Sequence, residues 1–308
     1  MTATKFQRGC RLRRNATLAT NNLLIEHGRE RPQRWLSMSG VIHRRQMTHS
    51  ALLVIFLLAF ALRVMAFGNI PGGIQHDEVT EALHAKQVLA GYHALYFYLP
   101  GFQGREPVMA YFQALWLRLV GENLWGLRFL STVSGVLTVA LVHAAGRRLF
   151  DRRTAMLATV TTTCAFWPLL ISRLALRGAL IPPLAALSVY LFWRCYTDQR
   201  ARTAWIGAAL TVAVACYTYL AGWAIPCALL MFTSYLHWQD RPRLRLQRGR
   251  IFGYGAVIVL TLTPLVFAIT QRPEGSERVS QLSSLLWSAA SGDVWPLVSN
   301  TLSVLDLR

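Results

Sequence analysis

Apolar runs close to the length of a membrane crossing recur along this chain, with short basic segments between them. About 30 Å of hydrocarbon takes roughly 20 helical residues to span, and inside it each backbone amide needs an internal partner. With 54% hydrophobic residues overall, the pattern excludes a soluble domain. It reads as an all-α polytopic membrane protein with about seven transmembrane helices, at 50–67, 127–145, 155–171, 174–193, 203–220, 222–237 and 251–270.

A net charge of +18 would suit a nucleic-acid binder, but the charge is not placed for one. Residues 1–46, 147–153, 194–202 and 239–250 hold 22 of the 32 Lys and Arg residues and 5 of the 14 acids. Positive charge concentrated in short segments between spans marks the cytoplasmic side, so the expected partner is the lipid bilayer and no nucleic acid. The segment 108–120, VMAYFQALWLRLV, is apolar but 13 residues long, about 20 Å as a helix. Counting it as a crossing would turn the later basic segments to the side opposite the N-terminal arm. We therefore read it as an amphipathic helix on the outer interface, within a long first extracytoplasmic loop, 68–126. Residues 1–46 form a disordered basic cytoplasmic arm, with Met38 or Met47 as alternative starts. Residues 47–270 form the transmembrane domain, and 271–308 an extracytoplasmic interfacial segment that reads as cut short. The protein is expected in the plasma (inner) membrane with its N-terminus cytoplasmic. Its five cysteines show no CxxC or metal-ligand spacing, so neither a disulfide framework nor a metal site is expected.

The first outer loop gathers acids in a chain that has few. Asp77, Glu78 and Glu81 lie in IQHDEVTEALHAKQVLAG, 74–91, after a break at Pro71, Gly72 and Gly73. A mostly apolar stripe of Val79, Ala82, Leu83, Lys86 and Leu89 to Ala90 at helical spacing predicts a helix over about 77–90 that stops at Gly91. Asp77, at the start, has two compatible readings. It caps the helix, or partial desolvation raises its pKa and it serves as a general base, with Glu78 beside it. His76 is placed to tune that carboxylate, although a solvated surface histidine fits equally well.

Farther along, Arg105 stands just before the helix that opens at Pro107, where it suits a phosphate arriving from the lipid side. The alternative is a local pair with Glu106. The aromatics from Tyr92 to Tyr98 read as an interface belt, with Tyr98 a supporting candidate. Arg173 and Arg177 lie one helical turn apart, at outer ends of spans where topology asks for no positive charge. Pro182 and Pro183 predict a kink in the fourth span beside them. Tyr217, Tyr219 and Trp223 read as interface residues.

On these residues the chain resembles the C-type polytopic glycosyltransferases related to dolichyl-phosphate-mannose–protein mannosyltransferases and the bacterial aminoarabinose transferase of lipid A. The likeness covers about 52–270. It rests on HDE (76–78), LAGY (89–92), GREPVMAYFQAL (104–115), Leu127-Arg128, GRRLFDRR (146–153) and SRLALRG (172–178), in that order. The resemblance implies catalysis by Asp77 and Glu78, and donor-phosphate binding by Arg105 in place of the lysine many relatives carry; Glu106 departs from their Lys-Pro-Pro-like version. It also implies further spans and often a soluble outer domain, so this chain reads as a truncated transmembrane module.

The expected reaction is transfer of a sugar from a polyprenyl-phosphate donor to an acceptor hydroxyl on a glycan, lipid or protein, on the extracytoplasmic face and with inversion. Arg105, with Arg173 or Arg177, would stabilise the leaving phosphate, so no metal or other cofactor is expected. The alternatives are a transporter or lipid flippase, which predicts charges near span midpoints, and a non-catalytic remnant of such an enzyme.

Overall fold

The computed structural model describes residues 49–98, 104–198, 203–242, 247–271, 284, 287–296, 298 and 299. The basic arm and most of 271–308 therefore lie outside the described residues. The chain divides into a small unit, residues 1–55, and a large one, residues 56–308. Of the first, residues 49–55 are described, as opening turns of a helix; the account below concerns the second.

Among the described residues the main α-helices follow in order: α1 (His49–Val64), α2 (His76–Leu89), α3 (Val108–Val120), α4 (Leu124–Leu149), α5 (Arg152–Cys164), α6 (Phe166–Ile171), α7 (Ile181–Thr197), α8 (Ala204–Cys216), α9 (Ala224–Gln239) and α10 (Arg248–Thr270). Short 3₁₀ turns, Arg177–Leu180 and Leu220–Trp223, lead into α7 and α9. Among the described residues the one β pairing is an isolated bridge between Phe97 and Arg105. Among the described residues four stretches are long and apolar enough to cross a membrane: Leu124–Leu149, Arg177–Thr197, Leu220–Gln239 and Arg248–Thr270. They account for four of the seven expected spans. α1 and α8 are apolar but shorter, and the expected span 155–171 is two helices. The backbone is extended at Ala165 between them, and Pro168, three residues on, has no amide hydrogen for a continuous helix.

Local chemistry explains several boundaries. Asn123 caps α4 by accepting from Gly126 N at 2.7 Å, and Gly121 before it takes φ 98°. Arg147 and Arg148 close α4 where its dipole favours cations. Asp151 then caps α5, accepting from the amides of Arg153 and Thr154. Pro182 and Pro183 occupy the first turn of α7, where missing amide hydrogens cost nothing. The expected mid-span kink is therefore corrected to a helix start.

The core between α7, α8, α9 and α10 holds Phe192, Trp205, Val212, Cys216, Leu229 and Leu265. A smaller cluster of Ala85, Ala114, Leu117, Leu127 and Ala175 packs α2 and α3 on the head of α4. Trp193 Nε1 donates to Arg148 O at 3.1 Å and Tyr196 Oη to Asp240 at 3.0 Å. Those contacts bring Arg148, the end of α7 and Asp240, each in or beside a described part of a basic segment, together at one end. α2, the head of α4 and the start of α7 meet at the other.

Candidate active site

α2 forms where its mostly apolar stripe predicts a helix, and it turns its polar side inward. Glu78, Thr80, Glu81, His84 and Ala85 are buried, while Val79 and Leu83 are exposed. Carboxylates can be buried here because arginines from three distant segments meet them, which a stripe on a single helix does not reveal. Asp77 is not the cap: Gln75 holds that position and donates its amide to Glu78 Oε2 at 3.1 Å. Gly91 takes φ 91° and ends the helix as expected.

Five charged side chains form a chain across the site. Arg105 donates from Nη2 to Asp77 Oδ1 at 2.8 Å and from Nη1 to Glu81 Oε1 at 2.6 Å. Arg177 reaches the same Glu81 oxygen with Nε at 3.7 Å and donates from Nη1 to Glu106 Oε2 at 2.6 Å. Its guanidinium lies 5.0 Å from the centre of the Tyr219 ring, a cation–π geometry that gives Tyr219 a contact beyond the interface. Arg105 is locked in place by the Phe97 bridge, with a 2.8 Å backbone bond in each direction. Gly104 is required beside it, since a Cβ there would fall 2.2 Å from the Tyr96 ring.

Exposure separates the acids. The Asp77 side chain is 60% exposed and that of Glu81 1%. The hydrogen bond from Arg105 holds the Asp77 carboxyl below its ordinary value, outweighing desolvation. This corrects the expectation that its pKa rises. Burial raises Glu81 despite Arg177 and Arg105. His84, beneath them and edge-on to Phe97, is pushed down to about 4 by burial and by both arginines, so it is neutral. Its ring nitrogens have no hydrogen-bond partner among the described residues.

Two site candidates sit apart from this chain. Both Glu78 oxygens are engaged: Arg128 donates from Nε and Nη2 at 2.8 Å each, and Ala175 N donates at 2.8 Å. Arg128 also bonds the carbonyls of Pro71 and Gly73. Arg173 gives its hydrogen bonds to the carbonyls of Leu62, Met65 and Ile70, closing the C-terminal end of α1 and the turn after it. The shared helical face expected for Arg173 and Arg177 does not form, because 172–176 is irregular. His76 is exposed beside Asp77, and Tyr98 is half-buried without a hydrogen bond or ring contact among the described residues. Sequence reasoning missed the roles of Arg128 and Tyr219. Arg128 carries a legible signal: an arginine in the first turn of an otherwise apolar helix.

An apolar groove of about 220 Å³ opens between α3, α4, α7 and α8, lined by Val108, Phe112, Leu130, Leu137, Leu184 and Val214 among others. Val108 follows Arg105 and Glu106 within one helical turn, and Leu180, also in its wall, follows Arg177 equally closely. Two residues of its wall thus neighbour the charged chain in sequence. Among the described residues, His, Cys, Asp and Glu side chains form no group of three or more that could hold a metal ion, and Cys164, Cys195, Cys216 and Cys227 are free thiols.

Residues 104–267, more than half of the chain, match the sequence model of a family described as dolichyl-phosphate-mannose-protein mannosyltransferase. The undecaprenyl phosphate-alpha-4-amino-4-deoxy-L-arabinose arabinosyl transferases of Pseudomonas aeruginosa strains LESB58 and UCBPP-PA14 are 29% identical over 227 and 226 residues. The alignments cover 70% of this chain and 38% of each relative, so the chain spans well under half their length. The crystal structure of the Archaeoglobus fulgidus oligosaccharyltransferase in its apo form superposes with a TM-score of 0.55 at 16% identity, over 83% of this chain and 36% of that one. An A. fulgidus oligosaccharyltransferase AglB structure with an inhibitory peptide and a dolichol-phosphate gives 0.54 at 17%, over 85% and 37%. At these identities the likeness is one of fold.

Proposed function

The chain belongs to the dolichyl-phosphate-mannose-protein mannosyltransferase family, and from that premise we propose that it serves a membrane glycosyltransferase that moves a sugar from a polyprenyl phosphate to an acceptor hydroxyl. The observation that carries this reading is the charged chain together with an apolar groove whose wall includes Val108 and Leu180, each three residues from one of its arginines. A polyprenyl-phosphate sugar has the matching form, an anionic head on an apolar tail. The tail lies in the groove and the phosphate meets Arg105 and Arg177.

In the reaction, the acceptor oxygen attacks the anomeric carbon from the face opposite the phosphate. The bond from that carbon to the phosphate oxygen breaks and its electron pair leaves with the polyprenyl phosphate. Asp77 takes the acceptor proton. Inversion follows from the single displacement. The phosphate gains one negative charge, which the two guanidiniums stabilise. As Arg105 turns toward the phosphate, Asp77 loses the hydrogen bond that lowers its pKa and becomes a stronger base where one is needed. The arginines supply the positive charge, and we propose a metal-independent reaction, checked by activity unchanged in excess chelator. Glu78 and Arg173 are assigned to positioning, because their hydrogen bonds are spent on α1, α2 and the 172–176 segment.

For topology, we propose that α1, the α5–α6 pair and α8 cross the membrane too, which restores seven spans. That count puts the three basic segments together in the cytoplasm and the site on the extracytoplasmic face of the inner membrane, with the N-terminus cytoplasmic. Transport is disfavoured, since the four long apolar stretches contain neither Asp nor Glu and so offer no acidic pathway through the membrane. The test is transfer of radiolabelled sugar from a polyprenyl-phosphate donor by purified protein. Donor binding with no product under any acceptor mixture would leave only the remnant reading.

A further inference from the structure

The charged chain does not balance. Three carboxylates, Asp77, Glu81 and Glu106, face two guanidiniums, Arg105 and Arg177. A phosphate that docks there adds negative charge to a group already in excess of it. It also competes for both arginines, and these are the two that Glu81 contacts, at 2.6 and 3.7 Å. Asp77 and Glu106 have recourse to water, with side chains 60% and 11% exposed, while Glu81 at 1% has almost none. A buried carboxylate stripped of its cations does not remain ionised; it binds a proton. Resting on the donor reading above, we propose that Glu81 takes up one proton when a polyprenyl-phosphate diester docks on Arg105 and Arg177.

The groups that face Glu81 agree with this. Asp77 and His84 approach from its own helix, Arg105 and Glu106 from the segment before α3, and Arg177 from the 3₁₀ turn before α7. His84 is a poor site for the proton, since burial and the same two arginines hold it neutral. Glu81 already leans toward protonation through burial, with Glu106 adding to it. Protonated, it still offers an oxygen to one guanidinium as an acceptor, so neutralising it frees positive charge for the ligand without dismantling the site. Glu81 is thus a positioning residue whose charge state is tied to the ligand.

The sign of the pH effect is fixed. Glu81 has a higher proton affinity in the complex than in the free protein, so binding weakens as pH rises between those two pKa values and is flat outside them. The experiment is calorimetry of the full chain in lipid nanodiscs, with a polyprenyl-phosphate-linked hexose as probe. This diester keeps one charge, unlike a phosphate monoester, which titrates near pH 6. Heats in two buffers of different ionisation enthalpy should show uptake approaching one proton per probe bound, and Kd should rise by up to about tenfold per pH unit. Glu81→Gln should bind with no proton uptake and a flat pH profile. Uptake near zero throughout the wild-type profile, or uptake unchanged in Glu81→Gln, overturns the proposal while leaving the donor reading in place. A probe that fails to bind wild type at any pH overturns both. If Glu81→Gln does not fold, Asp77→Asn takes its place: proton uptake that persists in it supports Glu81 as the acceptor, and uptake that disappears with Asp77 overturns the proposal.

Discussion

At the scale of residues, the arginines that look alike in the sequence do different work. Arg177 faces the charged chain, and Arg173, four positions earlier, closes the end of α1. Arg177→Met should weaken donor binding by about 10–100-fold, the loss of a charged hydrogen bond, while Arg173→Met should lower thermal stability first and leave the Kd of surviving folded protein near wild type. Equal loss of affinity in both would merge their roles. Asp77→Asn should reduce transfer by about 10²–10⁴-fold, the range for a general base, with expression and donor Kd preserved. Glu78 and Arg128 are fully buried as a pair, and removing one partner with Glu78→Ala should cost about 3–5 kcal/mol, read as earlier unfolding in denaturant. The sequence displayed the acids and singled out Arg105, whose guanidinium hydrogen-bonds Asp77 and Glu81 in the fold. It hid the identity of each pair, because contacts such as Glu78 with Arg128 or Ala175 join segments far apart in the chain.

At the scale of elements, length and punctuation were more legible than orientation. The helix expected over 108–120 forms over those residues, bounded by Pro107 and by Gly121 at positive φ. α2 forms where expected, and ion pairs rather than apolar contacts decide which side it buries. Hydrophobic periodicity locates such a helix but carries no information about a partner's charge, and so none about the side that faces inward. The span expected over 155–171 breaks for a reason visible in hindsight, Pro168, whereas Pro182 and Pro183 begin a helix instead of bending one. Tyr219 meets Arg177 because Gly222 lets the 3₁₀ turn fold tightly against α8; a Cβ there would fall 2.1 Å from Ala215 O. Gly222→Ala should destabilise the protein by about 1–3 kcal/mol and loosen donor binding through Tyr219, measurable as paired losses in melting temperature and Kd.

At the scale of the whole molecule, the described parts of the basic segments around Arg148, Tyr196 and Asp240 gather at one end and the charged chain lies at the other. The sequence had separated them by charge alone. We expect a cysteine at position 77 of an otherwise cysteine-free chain to react with an impermeant reagent added to intact cells, and one at position 150 to stay protected until the membrane is opened. The reverse pattern would place the site in the cytoplasm. The contacts of Arg173 and of Ala175 carry a further meaning for biosynthesis. The carbonyls that end α1 and one oxygen of Glu78 find these partners some hundred residues downstream. As the ribosome delivers the chain, the first acidic helix must therefore wait, incompletely anchored, until the stretch around residue 175 has followed it to the same surface. The order of synthesis makes that stretch the clasp that closes over the first acidic helix.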